Sequence, residues 1–229
     1  MNWGYEAIGR FDSWEQIANY PVDNDRKGNR TVVPGDIMYK DQNNDGVINY
    51  LDERPIGYRV DSTPTLNFGI NLSASWKGFD LAMDWTGSGM TSWNQCYETA
   101  RPFQNDGNSP DEVLKDAWHL SDIWDANSPL IPGKYPMVRL NTDETSAYDK
   151  SSYWLHNVTY LKLRNLEVGY TFPKTWLNRT GISNLRLFVS GTNLLTLSNL
   201  SVMDPECASD NGLDYPPMRV INIGVNLKF

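Results

Sequence analysis

Oxygen-bearing side chains recur at fixed intervals in the stretch DQNNDGVINYLD, residues 41–52. Counted from Asp41, the first, third, fifth, ninth and twelfth positions carry Asp or Asn, and the seventh offers a backbone carbonyl. A glycine stands sixth, where a loop that wraps a calcium ion must turn sharply. The spacing predicts a structural calcium ion with these ligands: Asp41, Asn43, Asp45, Val47, Asn49 and Asp52. The twelfth residue is an aspartate, shorter than the usual glutamate, so we expect modest affinity.

The alternative for this loop is an Asn- and Asp-rich turn without a metal, which its composition alone permits. EF-hand loops lie between two amphipathic helices. Here Pro55 and Gly57 follow at once, and β-type alternation begins soon after them. A scaffold other than a helix pair must therefore position the loop.

Residues suited to acid–base or nucleophilic catalysis are sparse. Neither of the two histidines has a nucleophile paired with it in the sequence. Asp80 and Asp84 share one face of an alternating segment, and paired carboxylates can serve glycoside hydrolysis. Nothing in the surrounding sequence indicates a raised pKa for either carboxyl group, so we interpret both as solvated wall residues. The sequence predicts no enzyme.

Composition narrows the class of partner. The 229 residues carry a net charge of −8 with a pI near 4.7 and no basic block, which argues against nucleic acid. No apolar run approaches the ~20 residues of a membrane helix, and the start has no signal-peptide pattern. Cys96 and Cys207 are far apart, and the sequence permits either a disulfide or two independent thiols.

Strict alternation of apolar and polar residues predicts β-strands in the second part of the chain. From residue 64, one face collects Leu66, Phe68, Ile70, Leu72, Ala74 and Trp76, while Asn, Gly, Ser and Thr fill the other. A tight turn at Lys77-Gly78 leads into a second alternating run from 79. The two runs predict a hairpin with one apolar and one polar side.

Three further alternating runs begin near residues 158, 185 and 219, which gives about five long strands. Their connections alternate between short turns and long loops, the long ones at 90–156 and 198–217, as in an outer-membrane barrel. Two capping patterns predict short helices in the loops. One should run from Trp14 to Tyr20, and the other should start at Ser109 and end near Leu120.

A soluble β-sandwich would also alternate, because it has one inner and one wet face. Three details favour a membrane barrel. The polar faces contain few Lys or Glu, as suits a hydrated lumen, and the chain stops on an aromatic residue, Phe229. Aromatic residues also cluster near the strand ends on the short-turn side, as in an aromatic girdle: Trp76, Phe79, Trp85, Tyr170 and Phe172.

Several motifs resemble the closing part of SusC/RagA-type TonB-dependent outer-membrane transporters, in the same order along nearly the whole chain. They are GYEAIGRFDSWEQIANY, GDIMYKDQNNDGVINYLDERPIG, PTLNFGINLSASWKGFDLAMDWTGSG, YLKLRNLEVGYTFPKTWL, LRLFVSGTNLLTLS and MDPE. The resemblance implies an all-β fold, an antiparallel up-and-down meander of about five long strands that forms the C-terminal portion of a transmembrane β-barrel. Long extracellular loops would carry the short helices.

The resemblance also implies a domain organisation. Residues 1–63 would form an extracellular excursion with the calcium-type loop, held by an ion instead of by a core, and residues 64–229 the last barrel strands. Such transporters close about 22 strands around a plug, so we expect this chain to be a fragment without plug domain, TonB box or signal peptide. Phe229 would serve as the outer-membrane sorting signal.

The function implied is import of an oligosaccharide or peptide across the outer membrane of a Gram-negative bacterium. A SusD-like lipoprotein would act as lid, and TonB would supply energy. Six loop aromatics would face lid or ligand, with packing inside the folded loop as the alternative for each: Trp93, Tyr97, Trp118, Trp124, Tyr135 and Tyr153. Two other hypotheses remain, a soluble calcium-stabilised carbohydrate-binding β-domain and, with least support, a glycoside hydrolase.

Overall fold

The computed structural model describes residues 1–229 except 61–63, 141–143, 179–180, 207–210 and 213. The chain divides into two compact units. The first comprises Met1–Asp61, Ser92–Asn157 and Ala208–Leu213, and the second comprises Ser62–Thr91, Val158–Cys207 and Asp214–Phe229.

Short strand pairs and single helical turns build the first unit. The antiparallel pairs are β1 (Asn2–Gly4) with β4 (Arg54–Gly57), β2 (Ala7–Arg10) with β3 (Ile37–Tyr39), and β7 (His119–Leu120) with β8 (Leu130–Ile131). Single turns of 3₁₀-helix lie at Tyr50–Asp52, Tyr97–Thr99, Gln104–Asp106 and Ser146–Tyr148. Such short elements bury little surface by themselves, so the unit depends on side-chain packing.

Three α-helices are present in the described residues: α1 (Trp14–Ala18), α2 (Asp111–Lys115) and α3 (Lys174–Leu177). The Ser13 side chain caps α1 by accepting from the backbone N–H of Gln16 at 3.2 Å, as the capping pattern predicted. The helix ends two residues before the predicted Tyr20. None of the helices in the described part of the chain is long and apolar enough to cross a membrane.

Helix α2 is shorter than predicted, and its predicted cap was wrong. Pro110, not Ser109, is the N-cap residue, and no side chain caps the helix. The helix stops because the Asp116 carbonyl accepts from Tyr135 N at 2.8 Å, and Trp118 N donates to the Tyr135 carbonyl at 2.9 Å. These long-range backbone bonds replace the helical ones, and of the residues up to Leu120 only His119 and Leu120 belong to a strand, β7.

A hydrophobic core fills the first unit. Its largest cluster of buried residues consists of Tyr5, Ile37, Tyr39, Ile48, Ala100, Val113, Ala117, Tyr135, Ala147, Tyr148 and Trp154. Ile48 lies inside the predicted calcium loop and is completely buried. The loop is therefore anchored by a core, which was not expected, because alternation cannot reveal a core assembled from scattered loop residues; the ion stays a prediction.

Five long strands form one antiparallel sheet in the order β11-β10-β9-β6-β5. Their bounds are β5 (Leu66–Trp76), β6 (Phe79–Asn94), β9 (Leu155–Thr171), β10 (Asn184–Ser198) and β11 (Val220–Lys228). Sequence neighbours among the long strands are also neighbours in the sheet, so the predicted up-and-down meander is confirmed. Strand β6 extends beyond its alternating run, to Asn94.

The apolar side chains of the two edge strands of this sheet are exposed. Every residue of β5 is exposed, including Phe68 and Leu72 on its apolar face. On β11, Ile223 is 83% exposed and Phe229 beyond the strand end is 84% exposed. A regular sheet whose apolar side chains have no protein cover requires another apolar medium or partner to cover them.

The turn between β5 and β6 has the conformation that its residues predict. Lys77 (φ 48°) and Gly78 (φ 91°) both adopt positive φ, as a two-residue hairpin turn requires. A Cβ atom at Gly78 would lie 2.7 Å from the Thr171 carbonyl oxygen, so space as well as φ demands glycine. Aromatic rings gather at this end of the sheet, with Phe79 and Tyr170 centroids 4.6 Å apart.

Candidate metal loop and charged clusters

The predicted calcium loop is attached to the first unit by backbone hydrogen bonds on both sides of Val47. Asp23 N donates to the Gly46 carbonyl at 2.8 Å, and Ile48 N donates to the Asp23 carbonyl at 3.0 Å. Gly46 has φ +83°, the left-handed conformation expected at the sixth position. Burial of Ile48 and these bonds together give the loop its scaffold.

Three of the six predicted ligands converge. Carboxylate oxygens of Asp41, Asp45 and Asp52 all lie within 4.8 Å of one another. The Asp41 carboxylate accepts backbone N–H groups from Asn44 at 2.7 Å and Gly46 at 2.8 Å. These bonds fix the position of the carboxylate and leave further lone pairs for an ion.

Asp52, the twelfth residue, is completely buried. Its two oxygens accept N–H groups from Gln42 at 2.8 Å and Asn49 at 2.9 Å, and Asn49 in turn caps the helical turn Tyr50–Asp52. A buried carboxylate is costly without a compensating charge. In the described part of the chain, Asp52 and the two other converging carboxylates form no ion pair with a basic residue.

The remaining predicted ligands use their oxygens inside the loop. The Asn43 Oδ1 atom accepts from Asp45 N at 3.0 Å, and the Val47 carbonyl accepts from Asn49 Nδ2 at 3.0 Å. Hydrogen bonds from the Asn43 amide and the Val47 N–H lower the pKa of Asp45. The loop therefore presents three carboxylates in one place, with carbonyl and amide oxygens beside them, a donor set that suits a hard divalent cation.

The six loop aromatics differ in accessibility. Trp93, Trp118 and Tyr135 are 4%, 6% and 2% exposed, so their rings pack inside the unit. Tyr97 is 52% exposed and Trp124 is 90% exposed, which leaves these two rings accessible.

Tyr153 takes an intermediate position. Its ring lies under the Arg10 guanidinium at 4.8 Å, and its hydroxyl donates to the Lys134 carbonyl. The side chain links three separate segments of the first unit, and burial raises its pKa to about 12. Its hydroxyl is therefore a proton donor at neutral pH.

A buried ion cluster connects β9 to the segment that follows β10, and the sequence patterns did not predict it. Lys162 is 1% exposed, and its ammonium donates to Asp204 at 3.0 Å and Glu206 at 2.8 Å. Arg164 also pairs with Glu206. Both acids belong to the MDPE motif, which was quoted only as part of the family resemblance. The pairs attach the segment after β10 to β9.

A second ion cluster joins three strands of the sheet. The Arg186 guanidinium pairs with Asp80 and, at 2.6 Å, with Glu167. Asp84 accepts from the Asn165 amide at 3.1 Å. Asp80 and Asp84, expected as solvated wall residues, are thus bonded to side chains of neighbouring strands. These bonds cross-link the polar face of the sheet.

Cys207 and the disulfide alternative lie outside the described residues. Cys96 is the N-cap residue of the turn Tyr97–Thr99, where its backbone N–H donates to the Thr99 hydroxyl at 3.2 Å.

The sheet combines exposed apolar side chains with a charge-linked polar face. The chain is 30% identical over 242 residues to TonB-dependent receptor P3 of Formosa agariphila, an alignment that covers 98% of the chain and 22% of that receptor. TonB-dependent receptor SusC of Bacteroides thetaiotaomicron is 31% identical over 84 residues, 34% of the chain and 8% of that receptor. No family model matches the sequence.

Solved structures support the same fold. The RagAB peptide importer in its closed-closed state superposes with a TM-score of 0.63 at 20% identity, over 99% of this chain and 23% of that chain. The resemblance to SusC/RagA-type TonB-dependent receptors is therefore confirmed, and it extends over nearly the whole chain. The chain spans about a fifth of the length of the curated relatives it matches.

Proposed function

We propose that this chain is a wall segment and loop unit of an outer-membrane nutrient importer of a Gram-negative bacterium. The observation that carries the proposal is the sheet itself. Its apolar side chains, such as Leu72 and Ile223, are exposed on one face, while the partly exposed ion cluster of Arg186, Asp80 and Glu167 lies on the other. In a membrane barrel, lipid covers the apolar outer face and the aqueous lumen hydrates the polar inner face. Water on both sides would hydrate only the polar face favourably. No catalytic step is assigned.

The proposal includes two partners of the whole receptor. TonB would supply energy, and a SusD-like lipoprotein would act as lid. An oligosaccharide or a peptide is the proposed cargo. The matched structure is described as a peptide importer, and the similarity to SusC supports pairing with a lipoprotein of the SusD kind. The exposed aromatics Tyr97 and Trp124 are the proposed contacts to lid or cargo.

A pair of adjacent substitutions tests the membrane proposal. Leu72→Lys places a charge on the apolar face of β5, and Ser73→Lys places the same charge on the polar face. A lysine in the middle of a lipid face costs about 2–4 kcal/mol, so we expect Leu72→Lys to abolish assembly of the full-length receptor into the outer membrane. Ser73→Lys should assemble normally. Equal assembly of both variants would contradict a lipid-facing β5 and would favour the soluble β-domain.

We further propose that the loop 41–52 binds a structural calcium ion through Asp41, Asp45 and Asp52. The buried Asp52 supports the fit, because its charge has no basic partner in the described residues and a cation would neutralise it. Calcium would supply only charge and coordination there. The backbone N–H groups of Gly46 and Asn49 hold the carboxylates in place.

Chelation tests the ion. Removing calcium from the full-length receptor should raise protease cleavage within residues 36–60, and adding calcium should restore protection. Asp52→Asn should show the raised cleavage whether or not calcium is present, while Glu112→Gln, at an exposed position on α2, should behave like the parent. Cleavage that does not respond to chelator would leave the loop an ordinary turn.

A further inference from the structure

One end of the sheet carries the turn between β5 and β6 and, beside it, the end of β9. Thr171 N donates to the Gly78 carbonyl at 2.7 Å and so joins the two. Aromatic rings form a continuous row across this end. The centroid distances are 4.6 Å from Phe79 to Tyr170, 5.0 Å from Tyr170 to Phe172 and 6.0 Å from Phe172 to Trp176. We refer to these residues, together with the turn, as the aromatic end of the sheet.

Several rings at the aromatic end are accessible. Trp76, the last residue of β5, is 68% exposed, and Phe79 and Trp176 are 55% and 67% exposed. In membrane proteins, Trp and Tyr collect where the acyl chains meet the lipid headgroups, because their rings are apolar and carry one polar group. A row of exposed rings at the end of an exposed apolar face is typical of that boundary.

Two lysines lie beside these rings. The Lys77 ammonium is 4.8 Å from the centroid of the Trp76 ring. Lys174 is the first residue of α3, two positions before Trp176. Both lysines are exposed, and neither pairs with a carboxylate in the part of the chain that the structure describes. Their ammonium groups are therefore accessible to an external anion.

Acidic side chains do not offset these lysines. Residues 75–79 and 172–184 contain three basic residues and no acidic one, in a chain with a net charge of −8. Asp80, the next acidic residue, belongs to the polar face of β6 and pairs there with Arg186. A locally positive surface on a strongly acidic chain favours a negatively charged partner surface.

We propose that the aromatic end of the sheet binds the headgroups of anionic phospholipids, with Lys77 and Lys174 contacting the lipid phosphates. A lysine can lay its apolar stem along a ring while its ammonium reaches the headgroups, and Lys77 lies over Trp76 in this way. Each lysine near an anionic lipid surface adds to the attraction. The inference rests on the proposed membrane location of the sheet and adds a preference for lipid charge, which import itself does not require.

Photo-crosslinking in lipid nanodiscs tests this preference. The full-length receptor would be reconstituted in equal amounts of phosphatidylglycerol and phosphatidylcholine, with a photoactivatable group near the start of one acyl chain of either lipid. Mass spectrometry would then measure labelling within residues 70–80 and 172–184. We expect about fivefold more labelling by phosphatidylglycerol, the preference that one lysine near an anionic surface supplies. Equal labelling by both lipids would overturn the proposal and leave the membrane location intact. Labelling by neither lipid would contradict the membrane location as well.

Two double variants test the residues. Lys77→Gln combined with Lys174→Gln should bring the labelling by the two lipids to near equality. Lys40→Gln combined with Lys115→Gln removes the same charge from exposed positions of the first unit and should keep the parent's preference. High salt should weaken the preference of the parent, because exposed charges are screened. A preference that survives the loss of Lys77 and Lys174 would rule out these two residues as the headgroup contacts.

Discussion

Lys162 shows how much one side chain contributes to holding the segment after β10 against β9. Its ammonium is 1% exposed and faces two carboxylates, whose side chains are 15–17% exposed. Removing one partner of a buried ion cluster leaves the remaining charges without a counter-charge. The stability lost in this way exceeds the stability that the intact cluster contributes. This lysine therefore controls whether the segment around Asp204 and Glu206 stays attached to β9.

We predict that Lys162→Met releases residues 199–206 and costs about 3 kcal/mol. Amide hydrogen exchange of that segment in the full-length receptor should become faster. The exposed pair Lys40–Glu6, 3.2 Å apart, provides the control, because Lys40→Met should cost at most about 1 kcal/mol. If exchange at 199–206 does not change, the segment is held by contacts other than this ion cluster.

Asp25 organises a turn in the first unit. Its carboxylate accepts the backbone N–H groups of Lys27 and Asn29, both at 2.8 Å, and the N–H and hydroxyl of Thr31, both at 2.7 Å. Burial opposes ionisation, but the hydrogen bonds from Thr31 and Lys27 outweigh it and lower the pKa of Asp25 to about 2. The ordinary value is near 3.8. Ionised Asp25 therefore stabilises the fold above pH 3.8, and this stabilisation is lost as the pH falls through 2.

We predict that Asp25→Asn loosens residues 23–31 by about 2 kcal/mol at pH 7, because hydrogen bonds to a charged acceptor become bonds to a neutral one. The difference between variant and parent should narrow as the pH is lowered from 4 to 2. Hydrogen exchange of the turn across this pH series measures both effects. A difference that stays constant with pH would mean that the charge of Asp25 does not stabilise the turn.

The elements of the sheet could be predicted from the sequence, because most of the strands alternate with a period of two and the turn between β5 and β6 contains a glycine at its tip. Lys77 and Gly78 form the predicted hairpin turn, and all five strands begin within three residues of the predicted starts at 64, 79, 158, 185 and 219. The bulge in the pairing of β10 with β9, between Thr192 and Leu195, could not be predicted, since it depends on the partner strand.

The loop elements were harder to predict, for a physical reason. Helix α2 has a good local start signal, yet its end depends on bonds between Asp116 and Tyr135, nineteen positions apart. The core around Ile48 and Trp154 likewise joins residues that are distant in sequence. Of the candidate site, local spacing predicted the three converging carboxylates, but it could not show that Trp93, Trp118 and Tyr135 are buried.

Gly46 allows a prediction at the scale of the loop element. Nothing lies within 4 Å of a Cβ built at this position, so Gly46→Ala creates no clash and adds only the strain of a positive φ, 83°. We expect a cost of about 1 kcal/mol in loop stability and a matching decrease in calcium affinity. Calcium titration of protease protection at 36–60 measures it. Gly28→Ala, another open positive-φ position, should leave the calcium affinity unchanged.

At the scale of the whole molecule, the exposed apolar face of the sheet is the feature that most favours the importer proposal over a soluble β-domain. The five strands leave β5 and β11 as edges of the sheet, and both carry exposed apolar residues along their length. Unpaired edges of this kind are completed in a closed barrel. The chain spans 22% of the receptors it matches, so we expect the remaining strands of such a barrel to come from a longer protein.

The most direct measurement is an immunoblot of outer-membrane and soluble fractions from the native cell, with an antibody against residues 105–125. The account predicts a single outer-membrane band several times larger than 26.1 kDa, with binding of the same antibody to intact cells. A soluble band at the size of this chain would contradict the importer and would leave the soluble β-domain as the better explanation.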